Sequence, residues 1–141
     1  MKHFAPLLAA GAISACATVP TTGPASDFVT VSGEATYRER IALAPGSQMV
    51  VRIEETSRAD AAATTLAEQT YLLERRQVPI AFSVPVPRTA LTGAVRTTAR
   101  VQILGPQGDL AFTTDTAHPV VVRPGQESVE LGTLVMVRAG N

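Results

Sequence analysis

The sequence predicts an all-β fold, an antiparallel β-sandwich of about seven or eight strands, with a small β-barrel as the alternative. Three observations lead there. Stretches of alternating apolar and polar residues recur along the 141-residue chain, Gly and Pro turns separate them, and no long segment keeps a clean helical period. Short strands at this spacing in a little over a hundred residues are the pattern of sandwiches and small barrels. With one Cys no internal disulfide can hold such a domain, and with no Trp, four Phe and two Tyr its aromatics are few. Val, Ile, Leu and Ala must supply the core, at roughly 25 cal/mol per Å² removed from water.

The first strand is FVTVSGEATYR, where Val29, Val31, Gly33, Ala35 and Tyr37 fall on one side and Thr30, Ser32, Glu34 and Thr36 on the other. Pro45-Gly46-Ser47 makes a turn before QMVVRIEE, which sets Met49, Val51 and Ile53 against Val50, Arg52 and Glu54. These two strands read as a hairpin. DAAATTLAEQTYLLERR is rich in helix formers, but its apolar positions miss helical spacing, so Asp60-Ala-Ala is expected as a loop and Thr64 to Glu74 as extended. QVPIAFSVPVP carries Pro79, Pro85 and Pro87, which cannot donate to a ladder, and it is expected at a sheet edge.

AVRTTARVQIL places Val95, Thr97, Ala99, Val101 and Ile103 together, and Gly105 to Asp109 then turns the chain. LAFTTDT and PVVVR follow as strands, with a turn at Pro124-Gly125. ESVELGTLVMVRA closes the pattern, with Val129, Leu131, Thr133, Val135 and Val137 expected on one face.

The N-terminus has a different character. MKHFAPLLAAGAISA holds Lys2 and His3 ahead of about a dozen mostly apolar residues without an acidic group, the layout of an export signal. It is shorter than the roughly 20 residues a spanning helix needs. Ordinary signal peptidase would accept Ala15-Cys16-Ala17 and discard the cysteine. The preferred reading is a bacterial lipobox, since Ile13, Ser14 and Ala15 before Cys16 resemble its aliphatic-small-small-cysteine pattern. Cys16 would then carry a diacylglycerol on sulfur and an acyl chain on nitrogen, the one covalent group expected. ATVPTTGPASD follows as a tether that reaches roughly 35 Å drawn out and about 18 Å as a coil. The expected organisation is a signal over 1–15, a lipidated cysteine and tether over 16–27, and a β domain over 28–141. Two or three acyl chains anchor stably where one does not.

Composition excludes other classes. Beyond the signal the chain has eleven arginines, no lysine and twelve acidic residues, with Arg75-Arg76 the longest cationic run, so nucleic acid is not an expected partner. The mature chain has one histidine, His118, and Asp115 three residues earlier projects to the opposite face if the segment is extended. There is no Gly-x-Ser-x-Gly elbow and no ligand set for zinc or calcium, so neither an enzyme nor a metal site is expected. Thr113-Thr114-Asp115-Thr116 reads as strand-end capping, and Arg38 and Arg40 as partners for acidic groups on a neighbouring strand.

Thr36-Tyr37-Arg38 with Arg40-Ile41-Ala42-Leu43, Ala67-Glu68-Gln69, Gln77-Val78-Pro79-Ile80-Ala81-Phe82 and Phe112 to Thr116 with Pro119-Val120 together resemble the YbaY/YscW-type lipoproteins over residues 29 to 123. The sequence departs from that pattern at His118, where an aromatic is usual, and at Ala81, where a second proline is frequent. The resemblance implies a periplasmic β-sandwich held by lipid at the outer membrane, with Ala17 rather than aspartate after the cysteine agreeing with that address. It implies less about activity. Some members are pilots that carry a secretin subunit; others are housekeeping envelope proteins, which leaves a ligand carrier or an enzyme without a recognisable motif as the alternative. Tyr37, Arg38, Arg40, Glu68, Gln69, Pro79 and Asp115 are the family-motif positions, of unassigned role.

Overall fold

The computed structural model describes residues 26–140, so Ile13, Ser14, Ala15, Cys16 and the signal and tether readings lie outside the described residues. Eight strands and one short helix follow in order: β1 (Phe28–Tyr37), β2 (Gln48–Glu55), β3 (Thr64–Leu72), β4 (Ile80–Pro87), α1 (Arg88–Thr92), β5 (Thr97–Leu104), β6 (Leu110–Thr114), β7 (His118–Pro119) and β8 (Ser128–Arg138). They form one sheet in the order β3-β2-β5-β6-β8-β1-β4, with β7 added to β5. The sheet curls until its two edges, β3 and β4, meet. The all-β expectation holds, and the small barrel, not the two-sheet sandwich, is the architecture.

The seam is closed by a side chain. Tyr71 Oη on β3 donates to the Ser83 carbonyl at 2.7 Å and accepts from the Ser83 N–H at 2.8 Å, taking the place of one ladder partner. β4 stands at the edge as its prolines require. Pro85 and Pro87 have the same strand parity as Ser83, so the N–H groups they lack are ones that would face the seam.

Alternation set the inward faces of β1, β2, β4 and β5. Val29, Val31, Ala35, Met49, Val51, Ile53, Val84, Val101 and Ile103 are buried, and Phe82 and Ile80 join them. The barrel is therefore filled by side chains. At one end Tyr37 stacks on Phe112 with centroids 4.0 Å apart and planes within 5°, a geometry worth about 0.5–1.5 kcal/mol beyond its buried area.

Three expectations are corrected. First, β1 and β2 are not a hairpin: β1 lies between β4 and β8, and β2 between β3 and β5. The Pro45-Gly46 turn exists, with Gly46 at φ +86°, but residues 38–47 cross the barrel end. Leu43 is buried there as a plug, and the Gln77 side-chain amide clips it, accepting from Leu43 N–H at 2.8 Å and donating to its carbonyl at 3.3 Å. Second, the sheet is not wholly antiparallel, because β1 and β8 pair parallel from Thr30↔Ser128 to Tyr37↔Met136. These are the first and last strands, free of hairpin geometry because most of the domain separates them.

Third, β8 changes phase. Between Ser32↔Glu130 and Glu34↔Thr133 the last strand spends one extra residue, a bulge at Gly132 with φ +71°. Val129 points inward before it, and Leu134 and Met136 do so after it, while Val135 and Val137 turn outward. Gly33 faces this bulge, and a Cβ there would meet the Gly132 carbonyl oxygen at 2.8 Å.

Candidate functional site

The barrel interior is packed with side chains, and on its surface a groove of about 520 Å³ opens at the end where the chain enters the domain. Two segments build it. β4 ends at Pro87, whose φ of −58° suits a helix entry, and α1 follows for five residues, pinned by Arg88 N–H donating to the Asp27 carbonyl at 2.8 Å. The other wall is residues 119–124, expected as a strand but paired only at His118 and Pro119 with Ala99 and Thr98. Val120 makes one further bond, its N–H donating to the Thr97 carbonyl at 2.9 Å. The segment then leaves the sheet toward the turn at Pro124-Gly125, where Gly125 has φ +78°.

The groove is apolar with a cationic rim. Leu91, Val95, Val121 and Val122 line it with Arg88, Arg96 and Arg123, and no Asp or Glu does. Arg88 Nε donates to the Ser26 carbonyl at 2.8 Å, while its Nη2 is buried without a hydrogen-bond partner. Neither Arg96 nor Arg123 is in an ion pair among the described residues. Sequence reasoning missed this site, because its three arginines lie far apart in the chain and none belongs to a cationic run.

The family-motif positions do not converge on one place. Tyr37 closes the far end of the core, its hydroxyl donating to the Ile41 carbonyl at 2.6 Å, and burial together with nearby Glu39 pushes its pKa up. Glu68 faces outward from β3 and pairs with Arg52 Nε, and Arg52 Nη1 also donates to Gln102 Oε1 at 2.7 Å. Gln69 is exposed on the same strand, and Pro79 precedes β4. Arg38 and Arg40 lie beyond the end of β1, exposed and with no ion pair among the described residues, so the expected cross-strand pairing is not formed.

Arg38 and Asp115 do share a second, smaller hollow of about 360 Å³ with Glu39, Thr116 and His118, against the outward face of β8. The chain bends at 115–117, so Asp115 and His118 line the same hollow instead of opposite faces. No hydrogen bond joins them; Asp115 Oδ1 accepts from Thr116 Oγ1 at 3.0 Å, and His118 Nε2 is buried without a partner. The capping expected of the threonine run is present, with Thr114 Oγ1 accepting from Val101 N–H at 3.2 Å. Among the described residues no three His, Cys, Asp or Glu side chains are grouped to hold a metal ion.

Comparison with known proteins places this geometry. The family model described as "Type III secretion system lipoprotein chaperone (YscW)" matches residues 26–132, which is every strand but the end of β8. The chain is 28% identical over 116 residues to the "Uncharacterized lipoprotein YbaY" of Escherichia coli (strain K12), covering 77% of this chain and 56% of that relative's length. A solved structure, "an alternative pilotin from the type II secretion system of Vibrio cholerae", superposes with a TM-score of 0.66 at 30% identity, over 79% of this chain and 99% of that one. A nearly closed eight-stranded barrel matched over this span leaves one conclusion: the chain belongs to the YscW family of secretion-system lipoprotein chaperones.

Proposed function

We propose that this protein is a lipoprotein of the outer membrane, acylated on Cys16 and facing the periplasm, whose barrel escorts a secretion-system subunit. The expected partner is a secretin. The observation that carries this reading is the likeness to the solved pilotin, which spans almost the whole of that protein. The division into a signal over 1–15, a tether over 16–27 and a binding domain over 28–141 belongs to the same reading. Its physical content is simple: two or three acyl chains supply the membrane affinity and the barrel supplies the protein contact.

A non-enzymatic role is proposed with it. Asp115 and His118 are not hydrogen-bonded to each other, and neither threonine hydroxyl that lines their hollow, Thr116 or Thr133, is hydrogen-bonded to His118 as a nucleophile to its base. The filled interior supports a binding module over a ligand carrier. Affinity capture of the lipidated protein from solubilised outer membrane, followed by mass spectrometry, tests the proposal. Repeated recovery of a secretin supports the pilot role, and its consistent absence removes it.

A further inference from the structure

The groove, the chain entry and three exposed apolar side chains share one end of the barrel. Phe28 is 48% exposed, Val95 86% and Val121 66%, which is unfavourable for side chains with nothing to bury against. Arg88 binds the Ser26 carbonyl, so the groove sits where the chain comes in from Cys16, ten residues upstream. Amphipathic cationic side chains beside exposed apolar ones suit a membrane interface, the stems in the acyl boundary and the heads among phosphates.

We infer that this end of the barrel makes a second, non-covalent contact with the bilayer, Phe28, Val95 and Val121 entering the headgroup region while Arg88, Arg96 and Arg123 take lipid phosphates. The inference rests on the Cys16 anchor proposed above. Charge supports a directed contact instead of general adhesion. Asp27, Glu55, Asp60 and Glu127 lie at the same end but outside the groove, and the Glu55 carboxylate is already engaged, accepting from Ser57 Oγ at 2.8 Å and from Val95 N–H at 3.3 Å. Only guanidinium groups face the groove as charges. The tether brings this end within about 18–35 Å of the anchored cysteine, so the contact is effectively intramolecular and weak individual terms suffice.

The chain has no Trp, so a single substituted Trp reports its own surroundings. The full acylated protein carrying Val121→Trp is reconstituted into vesicles of phosphatidylethanolamine with a minor fraction of phosphatidylglycerol, part of the acyl chains dibrominated. Ile41→Trp, beyond the far end of β1 and roughly 30 Å away along that strand, is the comparison. Trp at 121 should be quenched by the brominated chains and Trp at 41 should not. Arg96→Gln with Arg123→Gln should lower the docked-to-undocked ratio by about fivefold for each arginine removed; these two side chains have no folding role through ion pairs, and Arg88→Gln extends the series. Equal behaviour of the two reporters, or no response to the arginine substitutions, overturns the inference. An unquenched Trp at 121 also overturns it and leaves the groove to a protein partner. Protein that fails to float with the vesicles instead overturns the anchor itself, and with it this contact.

Discussion

Gly33→Ala tests the packing of the barrel at its tightest backbone crossing. A Cβ at residue 33 would lie 2.8 Å from the Gly132 carbonyl oxygen and 3.0 Å from Phe82 Cζ. Ordinary contact begins near 3.4 Å, so β1 and β8 must part by about half an ångström or the buried Phe82 ring must swing. Neither is easy, since both strands are paired on each side of this point. Overpacking of this kind costs about 1–3 kcal/mol. Loss of glycine's unfolded-state freedom offsets about 0.4–1 kcal/mol of that, leaving a net destabilisation of about 1–2 kcal/mol. For a domain near 115 residues that is a fall in Tm of roughly 4–8 °C. Thermal circular dichroism and urea titration of the soluble domain measure it, with Gly93→Ala as the control, where a Cβ meets nothing within 4 Å. A Gly33→Ala variant as stable as the parent would refute the crossing geometry and, with it, the Gly132 bulge.

Tyr71→Phe removes both bonds to Ser83 and should speed hydrogen exchange of the Ser83 amide at least tenfold, with a stability loss of about 1–2 kcal/mol; an unchanged amide would mean that the seam closes by other contacts. Gln77→Ala frees both backbone groups of the buried Leu43 and should cost about 1–3 kcal/mol in urea, whereas Gln77→Asn, too short to reach, should behave the same way. The Tyr37 pKa is raised by burial and by Glu39, so the unfolded chain loses its phenolic proton first as pH climbs. Stability from this group is intact below pH about 10 and falls as pH rises from there toward the folded value. Ultraviolet titration should show a late step from Tyr37, and Tyr37→Phe should remove it.

The sequence makes strands legible where one side faces the core. Val29 to Tyr37 alternates because each inward residue meets the filled barrel while the outward ones keep some contact with water; in β2, Met49, Val51 and Ile53 point inward, but Val50 and Glu54 on the other face are buried as well. The edge position of β4 was legible too, since Pro85 and Pro87 carry no N–H to pair. What failed was non-local. A single glycine at 132 reverses the phase of β8, and nothing in ELGTLV distinguishes a bulge from a plain strand glycine. The expected β1–β2 hairpin foundered on the parallel β1–β8 pair, a contact between the two ends of the domain that no turn signal announces. PVVVR satisfies strand propensity at three valines, yet only Val120 is fully buried, Val122 packs partly against the core and Val121 stays exposed, because the segment leaves the sheet toward the turn at Pro124. The groove was invisible for the same reason: Arg88, Arg96 and Arg123 meet only through the fold.

The escort role and the membrane contact both depend on lipid at one sulfur, and the N-terminal peptide of the mature protein tests it directly. Trypsin should release a fragment running from Cys16 to Arg38, the first cleavable residue beyond it. Mass spectrometry of that fragment from purified membranes should find a diacylglyceryl group on the Cys16 sulfur and an acylated α-amine. A mature chain beginning after Cys16, or an unmodified cysteine, would contradict the proposed anchor, the escort role and the membrane contact together.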